Sequence, residues 1–267
     1  MSRHFLKSDK LRLLEYNMGE GVRAFSITRD GGVGVGAYAG FNITHYCGDD
    51  ERAVSLARST LCGELGIAVE RLILPHQTHS SDVLCIGEQF LSLPIEVQTE
   101  LLYAKDAVVT DVRNLCIGVS TADCVPVLLY DAVKGVVAAV HAGWRGTVAR
   151  IVEKCIAAMR ERYSVSPTDV KAVIGPSISL DAFEVGDEVY DAFAAAAFPM
   201  EQIARRMGGK WHIDLWEANR LQLLACGVRE ESIELSGVCT YTCCDEFFSA
   251  RRLGIKSGRI FSGIMMK

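Results

Sequence analysis

The stretch that most narrows the fold is VVAAVHAGWRGT, residues 136–147. There an apolar run of strand length enters a glycine-rich polar corner and then the strongest helical pattern in the chain. A strand that feeds a helix through glycines is an α/β junction, because the glycines let the backbone reverse tightly between the two elements. Beyond the corner, Val148, Ile151, Val152, Cys155, Ile156 and Met159 recur with the helical repeat. This spacing predicts an amphipathic helix with Thr147 as its N-cap. A second stripe, Val54, Ala57, Leu61 and Leu65, begins after Asp49 and Asp50 and stops at Gly66, which predicts a helix bounded by an acidic cap and a glycine. Two more helices are expected, one from Asp214 to Gly227 through Leu215, Leu221 and Leu224, and one after Gly186 through DAFAAAAF.

Short apolar or β-branched runs at 107–110, 115–119, 126–130, 136–140 and 170–174 have strand length. They occur in clusters as well as in alternation with helices. The expectation is therefore an α/β (α+β) fold of mixed β-sheets flanked by helices rather than a purely parallel doubly wound sheet. No repeat, low-complexity tract or linker divides the chain, and its six prolines are scattered, so residues 1–267 read as a single domain.

Composition removes several functions. With 49% hydrophobic residues the chain has ample material for a core, and a net charge of −5 provides no broad basic field for nucleic acid or an anionic membrane. The N-terminal MSRHFLKSDK lacks an apolar signal region, and no apolar run approaches the roughly 20 residues that span a bilayer. The expected location is cytoplasmic. Ten cysteines, several of them (Cys116, Cys155, Cys226) inside apolar segments, read as reduced small hydrophobes rather than staples.

Candidate chemistry sits at polar breaks. The corner after His141 combines Gly143 and Gly146, which allow close backbone approach, with Arg145, whose planar fork suits phosphate beside a helix N-terminus. In VSTADCVPVLLYD, Asp123 and Cys124 interrupt two apolar runs, and Pro126 disfavours ladder bonding there, which keeps Cys124 at a chain reversal. In LPHQTHSSDV, His76 and His79 project to opposite faces if extended, so one of them at most is expected to face a site. Two imidazoles and one thiolate form a catalytic zinc set with a fourth position open. Gly31, Gly32, Gly34 and Gly36 read as a flexible hairpin or lid rather than a dinucleotide fingerprint, since no strong helix follows. Beside them Arg29, Asn42 and His45 are candidates for lining a pocket. Near the C-terminus Arg251, Arg252 and Arg259 lie beside Phe247 and Phe248, a combination suited to a base and a phosphate, and Cys239 with Cys243 is a conceivable minor metal pair.

In this order the stretches SITRDGG, FNITHYCGDD, Gln77-Thr78-His79-Ser80, TADC, HAGWRG, GPSISLDAFEVG and FFSARR with SGR resemble the laccase-domain or multicopper polyphenol oxidoreductase family, associated with purine nucleoside phosphorylase activity. Thr78, Ser80, Ala250 and Ser257 depart from the family pattern. The resemblance implies mixed sheets flanked by helices, similar to toxin deamidases, and places His79, Cys124 and His141 on the family's zinc ligands. It implies one zinc per chain, a purine nucleoside (adenosine, inosine or 5′-methylthioadenosine) and phosphate as substrates, and adenosine deamination as a second activity. Asp123 is then the carboxylate expected to move protons beside Cys124 and His141, with Arg29, Asn42, Arg145 and Arg251 expected to bind substrate or phosphate. The older family name implies copper-dependent phenol oxidation, but coupled copper centres need many histidines and the chain has six. A cysteine hydrolase or deamidase using Cys124 as nucleophile and His141 as base is the other alternative.

Overall fold

The computed structural model describes residues 10–267, so the reading made on the first nine residues lies outside it. Two mixed sheets pack face to face. One runs in the order β1 (Leu13–Tyr16), β2 (Val22–Ile27), β14 (Ile260–Met266), β6 (Cys116–Thr121) and β3 (Leu72–Ile73). Its pairs are antiparallel except β3 with β6. The other runs β13 (Ile233–Leu235), β9 (Val170–Ile174), β7 (Val125–Asp131), β8 (Val136–Ala142), β5 (Ala107–Thr110) and β4 (Val83–Ile86). There the outermost pairs, β13 with β9 and β4 with β5, are parallel and the inner ones antiparallel. A small antiparallel sheet, β10 (Glu184–Val185), β12 (Lys210–Ile213) and β11 (Ala204–Met207), stands apart from both.

Helices close the outer faces. α1 (Glu51–Leu65) buries Val54, Ala57, Leu61 and Leu65, the last three against the first sheet. Asp50 Oδ1 accepts from the Arg52 and Ala53 amides, and Gly66 ends the helix in the left-handed region. The short α2 (Ile95–Leu102) follows. α3 (Trp144–Val148) and α4 (Ile151–Tyr163) cover the second sheet together with α5 (Asp187–Ala195), α6 (Met200–Ile203) and α7 (Leu215–Ala225). α8 (Ala250–Leu253) precedes the final strand. The inner strands β5, β7 and β8 of the second sheet are buried on both faces, and their alternation sorts residues between two cores. Val136, Ala138 and Val140 of β8 meet the helices, whereas Val137 and Ala139 meet the first sheet. This is the mixed α/β arrangement expected from the sequence.

Two local expectations need correction. Thr147 does not cap the long helix, because α3 starts from Gly143 and the left-handed Arg150 separates it from α4. The Thr147 hydroxyl is instead buried, bonded to Ala142 O and to Asn219 Nδ2 of α7. The glycines at 31–36 form no hairpin; this segment is irregular with one 3-10 turn, Gly36–Tyr38. Its base is tightly packed, since a Cβ on Gly32 would lie 1.9 Å from the Gly40 carbonyl. None of the described helices is long and apolar enough to cross a membrane. The ten cysteines are free.

Candidate metal centre

Strand register builds one side of the centre. Ala107 of β5 pairs with Val140 of β8, so the next residues outward, Asp106 and His141, stand opposite each other. They share the parity of Val108 and Ala139, which face the first sheet. Asp106 Oδ1 lies 2.6 Å from His141 Nδ1, which commits that nitrogen and turns Nε2 toward the remaining ligands. Val125 of β7 pairs with Ala142, and Cys124, one residue outward, sits where the chain passes from the first sheet to the second. Pro126 does not interrupt the sheet as expected: it lies within β7 and pairs with His141 of β8, although the ladder to β9 ends at Val127, and Cys124 stands just before the strand.

His79 arrives from the loop after β3. Gln77 anchors that loop to β6, donating to Ser120 O at 2.8 Å and accepting from Ser120 N at 2.7 Å. The chain then wraps around Asp106, whose carboxylate accepts from the amides of Thr78, His79 and Ser80 and from the Ser80 hydroxyl. His79 adopts a left-handed φ of 62°, so the reason its ring points inward is this turn rather than the alternation of an extended segment.

The outcome is a group of donor atoms from His79, Cys124 and His141, all within 4.8 Å of one another. Among the described residues it is the one cluster of three or more such side chains. Its fit to a metal rests on geometry. Cys124 Sγ is 3.8 Å from His79 Nε2, and a Cβ on Gly143 would come within 2.9 Å of that sulfur and 3.1 Å of His79 Cδ2. The backbone thus forms a close floor under the ligands. His141 is buried, Cys124 half-buried and His79 exposed, which leaves the His79 side open to water or substrate.

The electrostatics favour ligands ready for a cation. Burial alone would raise the Cys124 thiol, yet the charge and hydrogen bond of His141, with those of His79, pull it below the ordinary thiol range. Burial would lower His141, but Cys124 and Asp106 raise it. Asp106, although buried, is held well down by the His141 hydrogen bond and charge and by its Ser80 and Thr78 donors. Both shifts point the same way, toward a thiolate on Cys124 and a proton on His141, and a divalent cation held by this donor set would displace that proton.

The other expected site residues divide. His76 is outside the donor cluster and stacks on Tyr46 with ring centroids 4.4 Å apart. Asp123, expected to move protons, has a left-handed φ of 84° and directs both oxygens elsewhere, to the Thr240 hydroxyl and the Arg251 amide at 2.7 Å each. It ties the Cys124 turn to the C-terminal segment. Arg29, expected to face substrate, instead bonds to the carbonyls of Ala39 and Cys244 and lies over Phe248. Asn42 is buried and saturated, donating to Asp49 and Cys47 and accepting from the Thr44 and Arg259 amides. These two side chains brace the loops. Arg251 donates to the Glu184 carbonyl. Arg145 is exposed, its guanidinium 4.3 Å above the Trp144 ring. Cys239 accepts from Ser179 and stays outside the donor cluster with Cys243. Sequence reasoning missed Asp106 and gave no role to Gln77 and Ser80, which it noted only within the family motif; a lone Asp before an apolar run signals only a strand start.

Comparison with known proteins sets this geometry in context. The family described as multi-copper polyphenol oxidoreductase laccase matches residues 23–267. The chain is 51% identical to a protein of Bacteroides thetaiotaomicron named purine nucleoside phosphorylase, over 92% of each chain. It is 48% identical to adenosine deaminase RL5 of an unknown prokaryotic organism, covering 93% of this chain and 95% of that one. Among solved structures, YlmD of Geobacillus stearothermophilus superimposes with a TM-score of 0.86 at 31% identity over 94% of each chain. The hypothetical protein YfiH of Bacillus licheniformis gives 0.88 at 28% identity, covering 97% of this chain and 99% of that one.

Proposed function

We propose, from the premise that the chain belongs to the multi-copper polyphenol oxidoreductase laccase family, that it is a zinc-containing purine nucleoside phosphorylase that also deaminates adenosine. The observation that carries this reading is the His-Cys-His group of donors within 4.8 Å of one another, the one such group among the described residues. The names of the relatives, one a phosphorylase and one a deaminase, supply the substrate class. A set of two imidazoles and one thiolate suits zinc with one position open, and several coupled copper ions would need further donor groups. When bound, zinc supplies a Lewis acid able to polarise a purine or activate a water.

In phosphorolysis a phosphate oxygen forms a bond to ribose C1′ while the C1′–N9 bond breaks, releasing the base and ribose 1-phosphate. Positive charge grows on the ribose as that bond stretches, so a phosphate anion held alongside stabilises it before attacking. Arg145, exposed at the corner after β8 with its guanidinium over Trp144, is the proposed phosphate holder, and Arg251 is a second contact on the Asp123 side. Asp106 keeps His141 in one tautomer, and Gly143 lets the ligands close up over the backbone.

One observation favours a second reading. Cys124, His141 and Asp106 follow one another as nucleophile, base and orienting carboxylate would in a cysteine hydrolase. Metal separates the two, because a zinc-bound thiolate is not a free nucleophile. The test is phosphate-dependent loss of adenosine or inosine by the wild type and by Cys124→Ala, with metal analysis of both. About one zinc in the wild type, most of it absent from a folded Cys124→Ala, supports the proposal. Copper as the dominant metal, or turnover by a metal-free protein blocked by thiol alkylation, refutes it.

A further inference from the structure

We propose that Asp106 is a positioning residue that assembles the His79 and His141 ligands before any metal arrives, with Ser80 closing the turn around it. A carboxylate with no solvent exposure is surrounded here by five donors: the amides of Thr78, His79 and Ser80, the Ser80 hydroxyl, and His141 Nδ1. Three of them are consecutive backbone N–H groups, so the turn around Asp106 is fixed residue by residue. That turn puts His79 in the left-handed region, a conformation uncommon for residues other than glycine, and the three amide bonds to Asp106 hold it there. Ser80 adds to the hold from the other end. Its hydroxyl is within 2.9 Å of the Ala104 carbonyl and 2.8 Å of Asp106, and it accepts from the Asp82 amide.

The same carboxylate orients His141 from a different element. Asp106 Oδ1 receives both the His79 amide and His141 Nδ1, and the Asp106 carbonyl accepts the His141 amide at 2.7 Å. One oxygen therefore links a loop ligand and a strand ligand, and their separation is set by β5 rather than by the metal. A ligand set organised in this way loses little freedom when a cation binds.

The proposal rests on the metal reading above, but its first test needs no metal. In the metal-stripped wild type the amides of Thr78, His79 and Ser80 are expected to exchange with solvent at least about tenfold more slowly than those of an unstructured loop, as hydrogen-bonded native amides do. Addition of zinc should change them little. Free exchange that slows only when zinc is added overturns the proposal. The second measurement is the His141 tautomer of the same metal-stripped protein, read by nitrogen NMR at a pH where the ring is neutral: Nδ1–H is expected, and Nε2–H refutes the orienting role. The third is Asp106→Asn, which replaces one acceptor oxygen with an N–H2 group facing existing donors. Zinc affinity by chelator competition is expected to fall about 10–100-fold, with the cobalt-substituted absorption spectrum altered and the circular dichroism retained. Affinity within twofold of wild type and an unchanged cobalt spectrum overturn it. Should that variant fail to fold, the exchange and tautomer measurements on the wild type decide alone. A wild type that meets both but binds no zinc would refute the metal reading and leave the role of Asp106 standing.

Discussion

Gly143→Ala isolates the effect of crowding the ligands from any effect on the backbone. Gly143 has φ −65° and ψ 168°, extended values that alanine adopts freely. The added methyl would meet Cys124 Sγ at 2.9 Å and His79 Cδ2 at 3.1 Å. Carbon atoms sit comfortably at about 3.5 Å or more from such neighbours, so the sulfur must retreat by at least about 0.5 Å. Metal–ligand distances tolerate only about 0.2 Å. Zinc affinity is therefore expected to fall at least about tenfold, or about 1.4 kcal/mol. The fold responds differently. Overpacking costs about 1–3 kcal/mol and the loss of unfolded-state freedom returns about 0.4–1 kcal/mol. At about 2–4 °C per kcal/mol, the metal-free protein should melt within about 10 °C of wild type. Zinc titration of metal-stripped proteins against a competing chelator, paired with thermal melts, reads both numbers. Zinc affinity within twofold of wild type would refute the packing argument, and so would a variant that cannot fold.

Three further outcomes follow from the same geometry. Between about pH 6, near which Cys124 titrates, and about pH 9, near which His141 does, the metal-free pair holds one proton on the imidazole. Zinc binding should then release about one proton, and affinity should rise about tenfold per pH unit across this window and level off above it. Calorimetry in buffers of different ionisation enthalpy measures the release, and a pH-independent affinity contradicts it. Arg145→Ala should reduce phosphorolysis at limiting phosphate by about tenfold to a hundredfold, the worth of a charge-assisted contact of roughly 1.5–3 kcal/mol, while sparing deamination, which uses water. Equal loss of both activities would assign Arg145 a structural role. Asn219→Ala removes the donor to the buried Thr147 hydroxyl and to the Leu215 carbonyl, so it should destabilise the protein by about 1–3 kcal/mol, read by denaturant unfolding; an unchanged midpoint would contradict it.

Local signals made much of the architecture legible. α1 could be bounded within a residue at each end because its stripe, the Asp50 cap and the Gly66 stop all lie within one short segment. The break at Arg150 was invisible, since Val148 and Ile151 stay in helical phase across it while the partner that claims Thr147 is Asn219, 72 positions away. Asp106 was missed for the same reason. Its partners are set by the β5–β8 register and by a loop that folds back from 26–28 residues upstream. The bracing contacts of Arg29 and Asn42 were hidden as well, because their partners include backbone groups of distant residues such as Cys244 and Arg259, which no sequence pattern marks. His79, Cys124 and His141 were identified through the family resemblance; their long separations in sequence form no local motif.

Zinc returned stepwise to the metal-stripped protein, with inosine and phosphate present and ribose 1-phosphate followed, tests the central claim most directly. The account predicts a rate that rises linearly to one equivalent of zinc, stays flat beyond it, and vanishes when phosphate is omitted. Full phosphorolysis without metal, a break at two or more equivalents, or no ribose 1-phosphate at any zinc level would contradict it.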